Sequence, residues 1–275
     1  MKMKIFWMIL VLVSAQLTSC KSSDKVTEPE EKKVTTDTIP VPSGYTLVWH
    51  DEFSDSTLDK TKWNFEINGG GGGNNELQYY TDSPKNCYVK SGNLVICALK
   101  ENYLGKEYTS ARLNSNAKGD WKYGRFEVRA RLPYGQGMWP AIWLLPTDWV
   151  YGGWPASGEI DIMELLGQEK NRIYGTMHFG SSFENHLSKG GNYKLASGDF
   201  SSTYHKFQLE WDSVYVKWYV DDVLYYTAST IKPFDQRFHF ILNVAVGGNW
   251  PGPPDATTMF PQRMAVDYVR VYAKK

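Results

Sequence analysis

Polar and apolar residues alternate with period two through most of the chain beyond Gly44, and the 3.6-residue rhythm of an amphipathic helix is almost absent. Phe126, Val128, Ala130 and Leu132 interleave with Arg125, Glu127, Arg129 and Arg131, which predicts a strand with one buried and one polar face. Phe207, Leu209 and Trp211 do the same against Lys206, Gln208 and Glu210. The run from Val214 to Val220 meets a turn signal at Asp221-Asp222 and resumes at Val223-Leu224-Tyr225-Tyr226. Phe238–Val246 and Met264–Tyr272 predict two further strands. Between Cys87 and Cys97 the turn signal Ser91-Gly92-Asn93 predicts a hairpin. A two-residue loop sets Cys87 opposite Ile96 and turns Cys97 to the other face; a three-residue loop would set the cysteines opposite each other. Free thiols are the favoured outcome. Many short strands punctuated by Gly, Pro and Asn, with no internal repeat, predict an all-β antiparallel β-sandwich, a jelly roll with a concave substrate cleft.

Residues 1–43 break this pattern. Lys2 and Lys4 precede the apolar run Ile5 to Val13, which is shorter than the roughly 20 residues of a membrane-spanning helix. It fits the h-region of an export signal. Residues 1–20 therefore read as a lipoprotein signal peptide: they end Leu17-Thr18-Ser19-Cys20, which resembles a bacterial lipobox with Cys20 as the lipidated mature N-terminus. Residues 21–43 contain Pro29, Pro40 and Pro42, mixed charge and no aromatic ring, the composition of a disordered tether. Residues 44–275 remain as one domain. The expectation is an exported monomer anchored through Cys20, at the outer membrane or cell surface of a Gram-negative bacterium.

Composition narrows the chemistry. Thirty Lys and Arg balance thirty Asp and Glu, so the basic stripe of a nucleic-acid binder is missing. The 11 Trp, 18 Tyr and 12 Phe exceed what one core needs, and many stand beside Gly, Pro and Asn. About half are expected in the core; flat rings beside polar groups suit sugar faces. The run Gly69 to Gly73 lacks the Lys-Ser/Thr pair and following helix of a phosphate loop, and reads instead as permissive backbone at a cleft edge.

The segment Gly158 to Leu166 carries the candidate chemistry. Glu159 and Asp161 project from one face of a strand, with Ile160 and Ile162 on the other. Strict alternation would bury Glu164 among Ile and Leu, at high cost for an unpaired carboxylate. A β-bulge near Met163 adds one residue and returns Glu164 to the face of Glu159 and Asp161. Three carboxylates on one face repel one another, so folding alone would not select them. Glycoside hydrolysis does: an ionised carboxylate attacks the anomeric carbon while a protonated one releases the leaving oxygen, and retention needs the two about 5–5.5 Å apart. A third acid between them raises the pKa of the proton donor and orients the nucleophile. A solvated acidic edge is disfavoured by the apolar neighbours, and a divalent-cation site by the rigid strand spacing.

Glu159-Ile160-Asp161-Ile162-Met163-Glu164 resembles the signature of family 16 glycoside hydrolases in the bulged form found in laminarinases; lichenases and xyloglucan transglycosylases typically lack the Met163 position. The resemblance runs from Tyr45 to Ala273 and includes Asn74–Tyr80, Gly124–Glu127, Gly137–Trp143, Gly175–Phe179, Ala245–Pro251 and Val266–Tyr272. It implies Glu159 as nucleophile, Asp161 as helper and Glu164 as acid/base, with His178 near Glu164 to tune its proton. Trp139 and Trp143 would line the cleft floor, Trp154 would be the sugar platform on the glycone side, and Asn75 and Arg112 would hydrogen-bond sugar hydroxyls. Trp250 would join Trp139 and Trp154 in matching a curved β-1,3 chain. Core packing competes most strongly at Trp143, between Ile142 and Leu144, and least at Trp154, in a Gly/Pro loop. The resemblance also implies a structural calcium on the convex side, held by Glu52, Asp267 and backbone oxygen near Gly92, and no cofactor for catalysis. The implied function is retaining endo-hydrolysis of β-1,3-glucan, with mixed-linkage β-glucan as a further substrate. Hydrolysis of another polysaccharide such as agarose, transglycosylation, and glucan binding without cleavage are the alternatives; a pure binder has no use for three carboxylates.

Overall fold

The computed structural model describes residues 39–275; the predicted signal segment with Cys20, and residues 21–38 of the predicted tether, lie outside the described residues. Two sheets face each other across one core. The outer sheet runs β16 (Val223–Ser229), β15 (Tyr215–Val220), β14 (His205–Trp211), β9 (Gly124–Arg131), β18 (Gln262–Lys274), β5 (Asn93–Tyr103), β6 (Lys106–Ser110) and β3 (Gln78–Tyr80), with β1 (Tyr45–Asp51) on β18 and β4 (Cys87–Lys90) on β5. The inner sheet runs β13 (His186–Lys194), β12 (Arg172–Gly180), β11 (Glu159–Glu164), β10 (Met138–Pro146), β17 (Phe238–Val246), β7 (Arg112–Asn114) and β2 (Asn64–Phe65), with β8 (Asp120–Trp121) on β17. Pairing is antiparallel except between β3 and β6. Among the described residues the only helical elements are 3₁₀ turns at Gly71–Gly73 and Gly167–Glu169. This is the all-β jelly roll that the alternation predicts.

The alternating side chains explain the layers. Phe126, Val128, Ala130 and Leu132 are buried between the sheets with Phe207, Leu209, Trp211 and Trp218. Each buried Val, Leu or Phe among them contributes about 1.5–3 kcal/mol relative to exposure. Glu127, on the opposite face of β9, is also buried; the Tyr268 hydroxyl (2.7 Å) and the Gln208 amide (2.9 Å) donate to it. Strand β17 is buried at every position, since its outward face forms the middle of the cleft floor.

Both predicted tight turns form. Ser91 (φ 51°) and Gly92 (φ 69°) close β4 onto β5 with Lys90 opposite Asn93, and Asp221 (φ 49°) and Asp222 (φ 68°) close β15 onto β16. The first turn fixes the cysteine register: Cys87 pairs with Ile96, and both thiols are free and buried. Residues 39–43, expected in the tether, belong to the packed unit. The Pro40 carbonyl accepts from the Tyr272 hydroxyl (3.2 Å) and the Pro42 carbonyl from the Tyr45 N–H (3.1 Å).

Candidate active site

The bulge sits where the charge argument requires it. Along β12 Asp161 pairs with Thr176 and Glu164 with Tyr174, so three steps on β11 meet two on its neighbour. Along β10 the shift falls between Ile142 and Trp143, which pair with Met163 and Asp161. Ile160, Ile162 and Met163 all point into the core, and Glu159, Asp161 and Glu164 all reach the cleft. The bulged strand thus buries two consecutive apolar side chains and delivers three acids to one face.

The two glutamates each have an indole donor. The Trp154 indole N–H donates to Glu159 Oε2 (2.9 Å) and the Trp139 indole N–H to Glu164 Oε1 (3.0 Å). His178 Nε2 lies 3.1 Å from Asp161 Oδ2, while its Nδ1 lies 2.8 Å from Nε2 of His186. With a proton on its Nε2, His186 donates to His178 Nδ1, and His178 Nε2 faces the Asp161 carboxylate as a close charge contact. His178 thus lies beside Asp161, and it also acts directly to lower the Glu164 pKa. His186 was not foreseen: a lone histidine on an exposed edge strand carries no pattern.

Burial pushes all three carboxyls above the usual carboxylate range. The negative charge of Asp161 adds to the rise at Glu159 and at Glu164, and His178 and the indole N–H groups oppose it. Glu159, Asp161 and Glu164 are each pushed up to about 8, so the cluster as a whole holds protons at neutral pH. Glu159 is more open to the cleft than Asp161, which is 2 % exposed. Water reaches Glu159 most easily, so it is the carboxyl of the coupled group that ionises first. A protonated donor beside an ionised nucleophile is what retaining glycoside cleavage needs.

The cleft has a volume of about 910 Å³. Trp139, Trp143, Trp149, Trp154 and Trp250 all line it, whereas Trp63, Trp211 and Trp218 are fully buried. Trp143, the ring with the strongest competing core role, is half-buried on the floor; its N–H donates to Asn243 Oδ1 (2.7 Å), and the Arg112 guanidinium stacks 4.7 Å above it. Arg112 lines the cleft as expected, with Nε 2.8 Å from Glu66 Oε2. Asn75 does not: it is exposed at φ 56°, its amide donates to Asn249 Oδ1 (2.9 Å), and the neighbouring Asn74 supplies the cleft wall. Gly72 and Gly73 form the cleft edge; a Cβ on Gly72 would lie 2.2 Å from Glu76 Oε1, which accounts for a glycine there.

The predicted calcium ligands do not fit an ion as placed. Glu52 is bidentate to Arg270 (2.8 and 2.7 Å), and Asp267 is paired with Arg129. Each carboxylate thus already has a cation, and Gly92 lies in the exposed hairpin turn between β4 and β5. Glu159, Asp161 and His178 present ligand atoms within 4.8 Å of one another. Glu159 is engaged by Trp154, and His178 Nε2 lies 3.1 Å from Asp161 Oδ2, an arrangement suited to sharing protons.

A jelly roll whose inner sheet sets a protonated and an ionisable carboxyl under a wall of tryptophans defines a glycoside hydrolase. The chain belongs to the glycosyl hydrolases family 16, whose model matches residues 74–270. It is 46 % identical over 248 residues to the beta-glucanase of Rhodothermus marinus, covering 82 % of this chain and 84 % of that protein. It is 40 % identical to the glucan endo-1,3-beta-glucosidase A1 of Niallia circulans over 91 % of this chain, which spans only 41 % of that protein's length. The laminarinase catalytic domain of Thermotoga maritima superposes with a TM-score of 0.78 at 45 % identity, covering 84 % of this chain and 99 % of that one.

Proposed function

We propose that this protein is a retaining endo-hydrolase of β-1,3-glucan that also accepts mixed-linkage β-1,3/1,4-glucan. The observation that carries the reading is the bulged strand, which places Glu159, Asp161 and Glu164 together in a tryptophan-walled cleft. The activities of the Rhodothermus and Niallia relatives support the polymer class. Trp154, beside Glu159, and Trp250, beside Trp139, offer sugar platforms to a curved chain.

Glu159 attacks the anomeric carbon, and Glu164 gives its proton to the departing glycosidic oxygen. The result is a glucosyl ester on Glu159. Glu164, now ionised, takes a proton from water, whose oxygen attacks the same carbon and frees Glu159; two inversions give net retention. Asp161, with His178 Nε2 3.1 Å from its Oδ2, shares negative charge with Glu159 beside Glu164. Its repulsion keeps the proton on Glu164 before the first step.

The N-terminal signal pattern and Cys20 support export and lipid anchoring, with access to polymeric substrate at the cell surface of a Gram-negative bacterium. Replacing Cys20 by Ala should move the protein from membrane to soluble fractions. The substrate assignment is tested by initial rates on laminarin, barley β-glucan, carboxymethylcellulose and agarose, with product sizes followed over time. Laminarin should be cut fastest, first into mixed oligosaccharides, and carboxymethylcellulose not at all. Faster cleavage of agarose, or early release of glucose alone, overturns it.

A further inference from the structure

A bulge takes backbone groups out of the ladder, and a buried carbonyl without a donor is costly. In β11 the donor comes from the other sheet. The indole N–H of Trp218, on β15, donates to the backbone carbonyl of Asp161 at 2.8 Å, and Trp218 is completely buried. Strand β15 lies in the outer sheet and shares no ladder with β11, so this bond crosses the core. The Asp161 carbonyl belongs to the peptide that leads into the bulge, immediately before Ile162.

Space for the indole is supplied by Gly175. A Cβ there would lie 2.4 Å from Trp218 Cδ1, 2.8 Å from Trp218 Nε1 and 2.4 Å from the Tyr225 hydroxyl. Gly175 is not among the residues with left-handed backbone, so what its position demands is room. It sits between Tyr174, the partner of Glu164, and Thr176, the partner of Asp161, directly beside the bulge.

We propose that Trp218 is a positioning residue for catalysis: its N–H fixes the peptide entering the bulge and so sets where Glu164 stands relative to Glu159. Gly175 is the second part of this device, because it leaves the indole room to reach that carbonyl. The inference rests on Glu164 being the acid/base. Without the Trp218 donor the Asp161–Ile162 peptide can rotate, and the segment Ile162-Met163-Glu164 turns with it. Misplacement of a reacting group by 1 Å costs about 100-fold in rate.

Two variants and two substrates test this. Trp218→Phe keeps a ring in the core and removes the donor; Gly175→Ala crowds the indole from the other side. For either variant kcat on laminarin should fall about 10- to 100-fold with KM within about 2-fold, at a folded fraction checked by circular dichroism. On an aryl laminarioligosaccharide with a good leaving group, which needs little proton donation, kcat/KM should fall less than about 3-fold. Folded Trp218→Phe protein with wild-type kcat on laminarin, or an equal loss on both substrates, overturns the proposal. If Trp218→Phe does not fold, Gly175→Ala decides by the same readout. Glu164→Ala serves as the reference. A leaving-group split there without one in Trp218→Phe rejects the positioning role alone; no split in Glu164→Ala rejects the acid/base assignment and this proposal with it.

Discussion

At Glu164 the chemistry needs a proton held near neutral pH, and its neighbours set how tightly. Burial raises its pKa first, the Asp161 charge raises it further, and the Trp139 N–H lowers it by favouring the carboxylate. Activity should therefore fall as pH rises through about 8, where Glu164 loses the proton it must donate. Trp139→Phe removes the donor and should move the alkaline limb of kcat/KM upward. Asp161→Asn removes the repelling charge and should move it downward, with a lower kcat. Opposite movements of the two profiles are the check; a common direction contradicts the assignment. At Trp154 two functions coincide, since the ring lines the cleft and its N–H holds Glu159. Trp154→Ala should lower kcat/KM on laminarin by a factor corresponding to about 1–3 kcal/mol of transition-state binding, measured from initial rates. The acids were legible in the sequence because an unpaired Glu164 among Ile and Leu is physically untenable. His186 was not, because its importance comes from His178 lying across a strand pair.

Among the elements, hairpins and alternating strands were read from local patterns, since a two-residue turn and a period of two leave little freedom. The Ser91-Gly92 turn decided the cysteine register, and burial pushes the Cys87 thiol up to about 12. Both thiols should be unreactive to a thiol reagent in the native protein and both should react after denaturation, with no change in Tm on adding reductant. Rapid labelling of the folded protein contradicts the buried register. Strand β17 carries a further signal. Asn243 interrupts the apolar stretch Phe240–Val246, and it is the acceptor for Trp143. The calcium ligands were carried by resemblance alone; no local pattern shows that Arg270 and Arg129 occupy Glu52 and Asp267. The cross-sheet bond from Trp218 was equally invisible, as it joins residues 57 positions apart.

For the whole molecule, the active site is a source of instability that the core offsets. Glu164 has a folded pKa near 8, above the roughly 4.3 of an unfolded glutamate. A group raised in this way contributes its stability below the unfolded value and loses it as pH rises through the folded one. Glu164→Gln should therefore raise Tm at pH 8 by at least about 2 °C, the shift of about 1 kcal/mol in a domain of this size. The gain should shrink to nothing near pH 4, and calorimetry across that range measures it. A lower Tm at pH 8 would mean that the native carboxylate is stabilised where it stands. The measurement that bears most directly on the central claim, that Glu159 is the nucleophile on a bulged catalytic strand, is azide rescue. Glu159→Ala should lose nearly all turnover of an activated β-laminarioligosaccharide, and added azide should restore it by forming the α-glycosyl azide. Wild-type turnover without azide, or a rescued product of β configuration, would contradict the account.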